Sequence, residues 1–146
     1  DNSLATIEVN FAGSAHLMEL IAEKMKVQAH GQILVISSFA QVRPRPDNFA
    51  YGSSKVGLDF FARGLASTLK GTGVGIKILR PGFVRTKMTH GMEEAPFTID
   101  ASKCGEYGAK ALQGKALVTW APSILKIVAF VFKMLPQPVF SKIASR

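Results

Sequence analysis

The apolar run from Gln32 to Ser37 narrows the fold more than any other stretch of the chain. Its centre, Ile33-Leu34-Val35-Ile36, is continuous where a strand with one wet face would alternate. A strand that is apolar on both faces belongs inside a parallel sheet, with helices covering it above and below. The flanking segments meet that demand. Ile7 to Lys26 carries apolar residues at Ile7, Phe11, Ala15, Met18, Ile21, Ala22 and Met25, the stripe of a long amphipathic helix. Tyr51 to Leu69 reads as a second long helix, with Val56, Leu58, Phe60, Phe61, Leu65 and Leu69 on its apolar side. Gly52, Gly57, Ala62, Gly64 and Ala66 lie among them and allow close helix approach. Gly71-Thr72-Gly73 stops that helix, and Val74 to Leu79 is a second short strand ending at Arg80-Pro81-Gly82. The alternation of helix and strand predicts an α/β fold.

Chemistry concentrates between Ser38 and Lys55. Arg43-Pro44-Arg45-Pro46 excludes helix and inner strand, so a loop joins the first strand to the second helix. Its arginines either are simply solvated or face an anionic group. Tyr51 and Lys55, four residues apart, fall on one helix face about one turn from each other. A free phenol, with a pKa of about 10, is a poor acid or base at neutral pH, and a neighbouring ammonium favours its ionised form. If the apolar run is a strand, Ser38 at its end comes beside that phenol and completes a Ser, Tyr, Lys proton-transfer site. Ser37 is taken as a structural hydroxyl. Asn10, on the stripe of the first helix, reads by itself as a polar side chain bonded to a neighbour.

These residues, with Tyr51-Gly52-Ser53-Ser54-Lys55 as the local sequence, resemble the short-chain dehydrogenase/reductases. Val9-Asn10-Phe11 is similar to the family's helical asparagine, and Arg80-Pro81-Gly82-Phe83-Val84-Arg85-Thr86 to its Pro-Gly loop and threonine. The resemblance implies a ketone/alcohol oxidoreductase using NAD or NADP, with Tyr51 as general acid and base. It implies that Lys55 tunes Tyr51 and holds the ribose, Ser38 orients the carbonyl, and Asn10 kinks its helix and supports a proton path. Tyr51, Lys55, Pro81, Gly82, Val84 and Thr86 are the implied cofactor contacts. Thr89 to Asp100 is then the substrate-side segment, and Asp100 or Ser102 is expected to cap the helix that follows, to about Gln113. A narrower likeness, carried by Tyr51 to Asp59, Arg80 to Thr86, Glu94 to Asp100 and Gly114 to Pro122, is to bacterial reductases of polyprenyl-phosphate-linked 2-keto pentoses. It implies a small-molecule or lipid-linked sugar substrate.

The family's Gly-rich strand-turn-helix, where the pyrophosphate meets a helix N-terminus, has no match here. Gly71 to Gly75 and Gly105 to Gly108 lack the flanking elements. The chain also opens Asp1-Asn2-Ser3 without a methionine. The expectation is therefore the C-terminal part of a doubly wound Rossmann-type parallel sheet in one domain, residues 1–146. The N-terminal cofactor-binding part is taken to be absent and the chain inactive by itself. Self-association is the expected remedy for exposed apolar surface, and the helices containing Asn10 and Tyr51 resemble those that form the family's dimer interface. The rival reading is a non-catalytic oligomerising or membrane-associated scaffold of the same fold.

Composition excludes disorder, at 47% hydrophobic and 19% charged residues. The net charge of +8 is spread without aromatic interleaving, which argues against nucleic acid and for an anionic small molecule or an anionic membrane surface. The single Cys104 and the lack of a visible signal peptide point to the cytoplasm, with a peripheral place on the inner face of the membrane left open. Ala116 to Trp120 reads as a last strand, and Leu125 to Leu135 as a nearly all-apolar helix interrupted only by Lys126 and Lys133. It is short of the ~20 residues that span a bilayer. It either lies in an interface or is buried in an oligomer. The tail Phe140 to Arg146 adds further apolar and basic residues.

Overall fold

A computed structural model describes residues 2–144. Helix α1 (Ser3–Ile7) runs through a π-helical stretch (Glu8–Gly13) into α2 (Ser14–Gln28). Then come β1 (Gly31–Ile36), a 3-10 turn (Phe39–Gln41), α3 (Phe49–Thr68) and β2 (Val74–Pro81). The chain continues through β3 (Val84–Arg85), a 3-10 turn (Lys87–Thr89), β4 (Ile99–Asp100), α4 (Ala101–Gln113), β5 (Val118–Ala121), α5 (Leu125–Met134) and α6 (Gln137–Ala144). The main sheet has the order β1-β2-β5 and is parallel throughout; β3 and β4 form a separate parallel pair.

The continuous apolar run has its reason in the packing. Ile33 and Val35 of β1, with Val74, Ile76 and Ile78 of β2, join a core with Met18 and Ala22 of α2 and Leu58, Ala62 and Leu69 of α3. The alternate residues Leu34 and Leu79 face α4, where Gly108 lies against them. Helices therefore cover both faces, as a parallel sheet requires. At Gly57 of α3 the ring of Phe11 lies only 3.2 Å from where a Cβ would stand, so the helix pair is as close as the small residues predict. Gly64 has open space.

The fold-class expectation needs correction. The Rossmann-type sheet, both helical layers and their core form within this chain, with α1, α2 and α3 supplying one whole layer, so the reading of a C-terminal part deprived of its cofactor-binding portion does not stand. That reading rested on the lack of a Gly-rich strand-turn-helix and on an opening without methionine. Smaller differences have local causes. Strand β2 runs on through Pro81 because a proline, lacking a donor, is tolerated at a strand end, where it pairs with Ala121. The tail beyond Pro136 winds into α6; its last residues, Ser145 and Arg146, like Asp1, lie outside the described residues.

Candidate active site

Strand β1 ends at Ile36 and delivers Ser37 and Ser38 to the C-terminal edge of the sheet, where open α/β sheets bind ligands. The Ser37 N–H donates to the Leu79 carbonyl (2.8 Å), which carries the sheet one residue further. Ser38 is buried, and its Oγ accepts from the Ala40 N–H (3.1 Å), capping the 3-10 turn while its own proton stays available to donate. Ser37 Oγ is buried with no hydrogen-bond partner among the described residues, which gives the neighbouring hydroxyl a second claim to the site.

Helix α3 brings Tyr51 and Lys55 in its first two turns. A Cβ on Gly52 would stand 3.2 Å from the Ala40 carbonyl oxygen, so the glycine lets the turn that follows Ser38 rest directly beside Tyr51. Lys55 reaches back to the sheet: its Nζ donates to the Ile36 carbonyl (3.1 Å) and lies 5.7 Å from the centre of the Tyr51 ring. Burial pushes the Lys55 ammonium below its ordinary value of 10.5, because the charged form has lost part of its water. Asn10 sits half-buried in the π-helical stretch, a departure from α geometry common at functional sites. Its neighbour Phe11 packs on Gly57, two residues beyond Lys55, and so brings the Asn10 segment to the same part of α3.

The strand paired with β1, β2, ends in the Pro81-Gly82 turn. The Gly82 N–H donates to the Ala121 carbonyl (3.0 Å), and Leu125 packs over it. Val84 begins the short β3, and Thr86 caps the Lys87–Thr89 turn, with the Thr86 N–H on Thr89 Oγ1 (3.0 Å) and Thr89 Oγ1 donating to the Val84 carbonyl (2.7 Å). Asp100 stands at the N-cap of α4 but makes no capping bond; its Oδ1 accepts from Arg85 instead (3.0 Å).

Two supports escaped the sequence. Asp59 is 1% exposed and accepts two bonds from Arg80 (2.6 and 2.8 Å), while the Arg80 guanidinium lies 4.9 Å from the Trp120 ring. This pair ties the helix of Tyr51 to the strand end that carries Pro81. Its one visible sign is an acidic residue between Leu58 and Phe60 on an apolar helix. Arg43, from the loop, donates to the carbonyls of Phe132 (2.9 Å) and Leu135 (2.5 Å) and to the Gln137 side chain, and so holds the α5–α6 junction. No local pattern announces contacts across about ninety residues.

Comparison with known proteins assigns the family and the fold. The short chain dehydrogenase family model matches residues 1–96. The chain belongs to that family. Over 141 residues the chain is 36% identical to an uncharacterized oxidoreductase of Mycobacterium tuberculosis, covering 97% of this chain and 57% of that protein. The chain thus spans little more than half the length of the relatives it matches. A short-chain dehydrogenase from Burkholderia cenocepacia, solved with NADP, superposes with a TM-score of 0.85 at 19% identity, over 97% of this chain and 58% of that one. A 3-oxoacyl-[acyl-carrier protein] reductase from Brucella melitensis, solved with NAD, does so with a TM-score of 0.69 at 26% identity, over 83% of this chain and 56% of that one.

Proposed function

We propose that this short-chain dehydrogenase is an NAD(P)-dependent oxidoreductase that reduces a ketone to an alcohol. The observation that carries the reading is the placement of Tyr51 beside Lys55, whose Nζ is tied to the Ile36 carbonyl at the strand end leading to Ser38. The donor set suits a dinucleotide. Lys55 has donors beyond the one used on Ile36, enough to hold ribose hydroxyls, and the family resemblance assigns the backbone from Pro81 and Gly82 through Val84 to Thr86 to the nicotinamide carboxamide. When bound, the reduced nicotinamide supplies the hydride. Tyr51 donates its phenolic proton to the carbonyl oxygen, so that one hydride and one proton convert the ketone to the alcohol. The Lys55 charge stabilises the phenolate left behind, Ser38 donates to the carbonyl oxygen and orients it, and Asn10 supports the path by which the proton is restored.

For the substrate we infer an anionic amphiphile such as a polyprenyl-phosphate-linked keto sugar. A cleft of about 260 Å³ supports this: Phe49, two residues before Tyr51, lines it with Pro44, Pro46 and Phe140, and Arg45 adds a cation. Tyr51→Phe removes only the acidic proton. Carbonyl reduction is expected to fall by at least ~100-fold, the usual scale of general acid catalysis, with nucleotide affinity little changed. Retained turnover in the variant would sink the assignment.

A further inference from the structure

Helix α5 is apolar on two sides, and the fold uses one of them. Leu125 and Ala129 are buried, and Phe132 stacks edge-on between Phe39 and Phe140 at 5.6 Å from each. On the other side Ile127, Phe130, Val131 and Met134 follow the i, i+3, i+4, i+7 spacing of a single stripe, and they are 62, 66, 46 and 70% exposed. Ile124 extends the stripe, and Val139 and Ile143 of α6 are exposed as well. The face is held in shape: besides its bonds to the α5–α6 junction, the Arg43 guanidinium lies 4.3 Å from the Phe140 ring.

Charge selects what covers this face. No Asp or Glu follows Glu106 in the chain, whereas Lys110, Lys115, Lys126, Lys133, Lys142 and Arg146 do. Lys126 and Lys133 are exposed and lie seven residues apart, two turns of the helix that carries the stripe. A second copy seated on this face would set Lys126 and Lys133 against the same two lysines, with no carboxylate on α5 or α6 to answer them. An anionic surface answers both Lys126 and Lys133. Among the described residues no helix is long and apolar enough to cross a membrane, and α5, at ten residues, is about 15 Å long. Such a helix lies along an interface, with its apolar side chains in the acyl boundary and its lysine stems reaching up to the headgroups.

We propose that the exposed face of α5, continued by α6, docks the protein peripherally on a lipid surface bearing anionic headgroups. This inference is independent of the catalytic reading, since it uses none of Asn10, Ser38, Tyr51 and Lys55.

The test is co-sedimentation of the protein with vesicles of phosphatidylcholine alone and of phosphatidylcholine mixed with phosphatidylglycerol, at low and high salt. Binding to the mixed vesicles only, weakened by salt, is the expected result. Lys126→Gln and Lys133→Gln should each lower partitioning by about five-fold, the equivalent of ~1 kcal/mol per basic residue near the surface. Phe130→Ser with Met134→Ser should abolish it while the circular dichroism spectrum is unchanged. No binding to the mixed vesicles overturns the proposal, as does binding that survives the Phe130/Met134 variant. Sedimentation velocity without lipid gives a separate check: a dimer that the same variant splits would make this face an interface between copies and overturn it too.

Discussion

A carboxylate that is 1% exposed lies among the apolar residues of α3 because two guanidinium groups converge on it. Arg63 reaches Asp59 from one turn away, but its side chain is half exposed and water screens that pairing. Arg80 is different. It is nearly buried, makes two hydrogen bonds in parallel, and stacks on Trp120, so the pair is closed off from solvent. Removing the charge in Asp59→Asn leaves Arg80 buried and uncompensated, at an expected cost of ~3–5 kcal/mol. Replacing both partners by apolar residues of similar size, Asp59→Leu with Arg80→Met, should cost much less, since neither charge is then stranded. Urea denaturation measures both variants, and a single-variant loss below ~1 kcal/mol would show that water reaches the pair.

At the scale of elements, the segment between β3 and α4 is held by very little regular structure. The β3-β4 pair is two residues long. Arg85 adds the tether, with its Nε and Nη2 on Glu94 (2.6 and 2.7 Å) and its Nη1 on Asp100 (3.0 Å). The hydrogen bond from Arg85 holds the Glu94 carboxyl below its ordinary value, and the same bonds raise the guanidinium further. A carboxylate with a lowered pKa contributes its ordering above the normal carboxylate range, and that contribution is lost as pH falls through the lowered value. Amide-exchange protection over residues 92–99 is therefore expected to drop in Arg85→Ala at neutral pH. Wild type should approach the variant as acid protonates Glu94. Equal protection in both proteins at neutral pH would show the tether to be idle.

For the molecule as a whole, α2 and α3 carry large exposed apolar side chains. Leu17, Leu20, Val56 and Phe60 are 56, 51, 46 and 72% exposed on two helices that pack against each other. Unlike the α5 face, this part of α2 carries exposed charges of both signs, Glu19 and Lys24 among them. A copy related by a two-fold axis can therefore set acid against base around an apolar centre. We propose that two copies pair through this face, and Phe60→Asp is expected to raise the dimer dissociation constant at least ~10-fold in sedimentation velocity, since charging a buried anchor commonly costs more than 1.4 kcal/mol. An unchanged distribution would place any association elsewhere.

The periodicities by themselves determined the long helices and the strands, because each period states how many faces of an element must be dry. Spacing along one helix put Tyr51 and Lys55 together, since four residues make about one turn wherever that helix goes. The sequence could not show that one missing turn motif leaves room for a Rossmann-type sheet with both helical layers. Nor could it show that Asp100 would spend its carboxylate on Arg85 instead of capping α4. Which carboxylate meets Arg80, which carbonyl holds Lys55 and which loop arginine fastens the C-terminal helices were decided by tertiary structure alone. Their partners are 19 to 94 residues apart, and contacts at that range depend on where the packed core places each backbone, which no local period encodes.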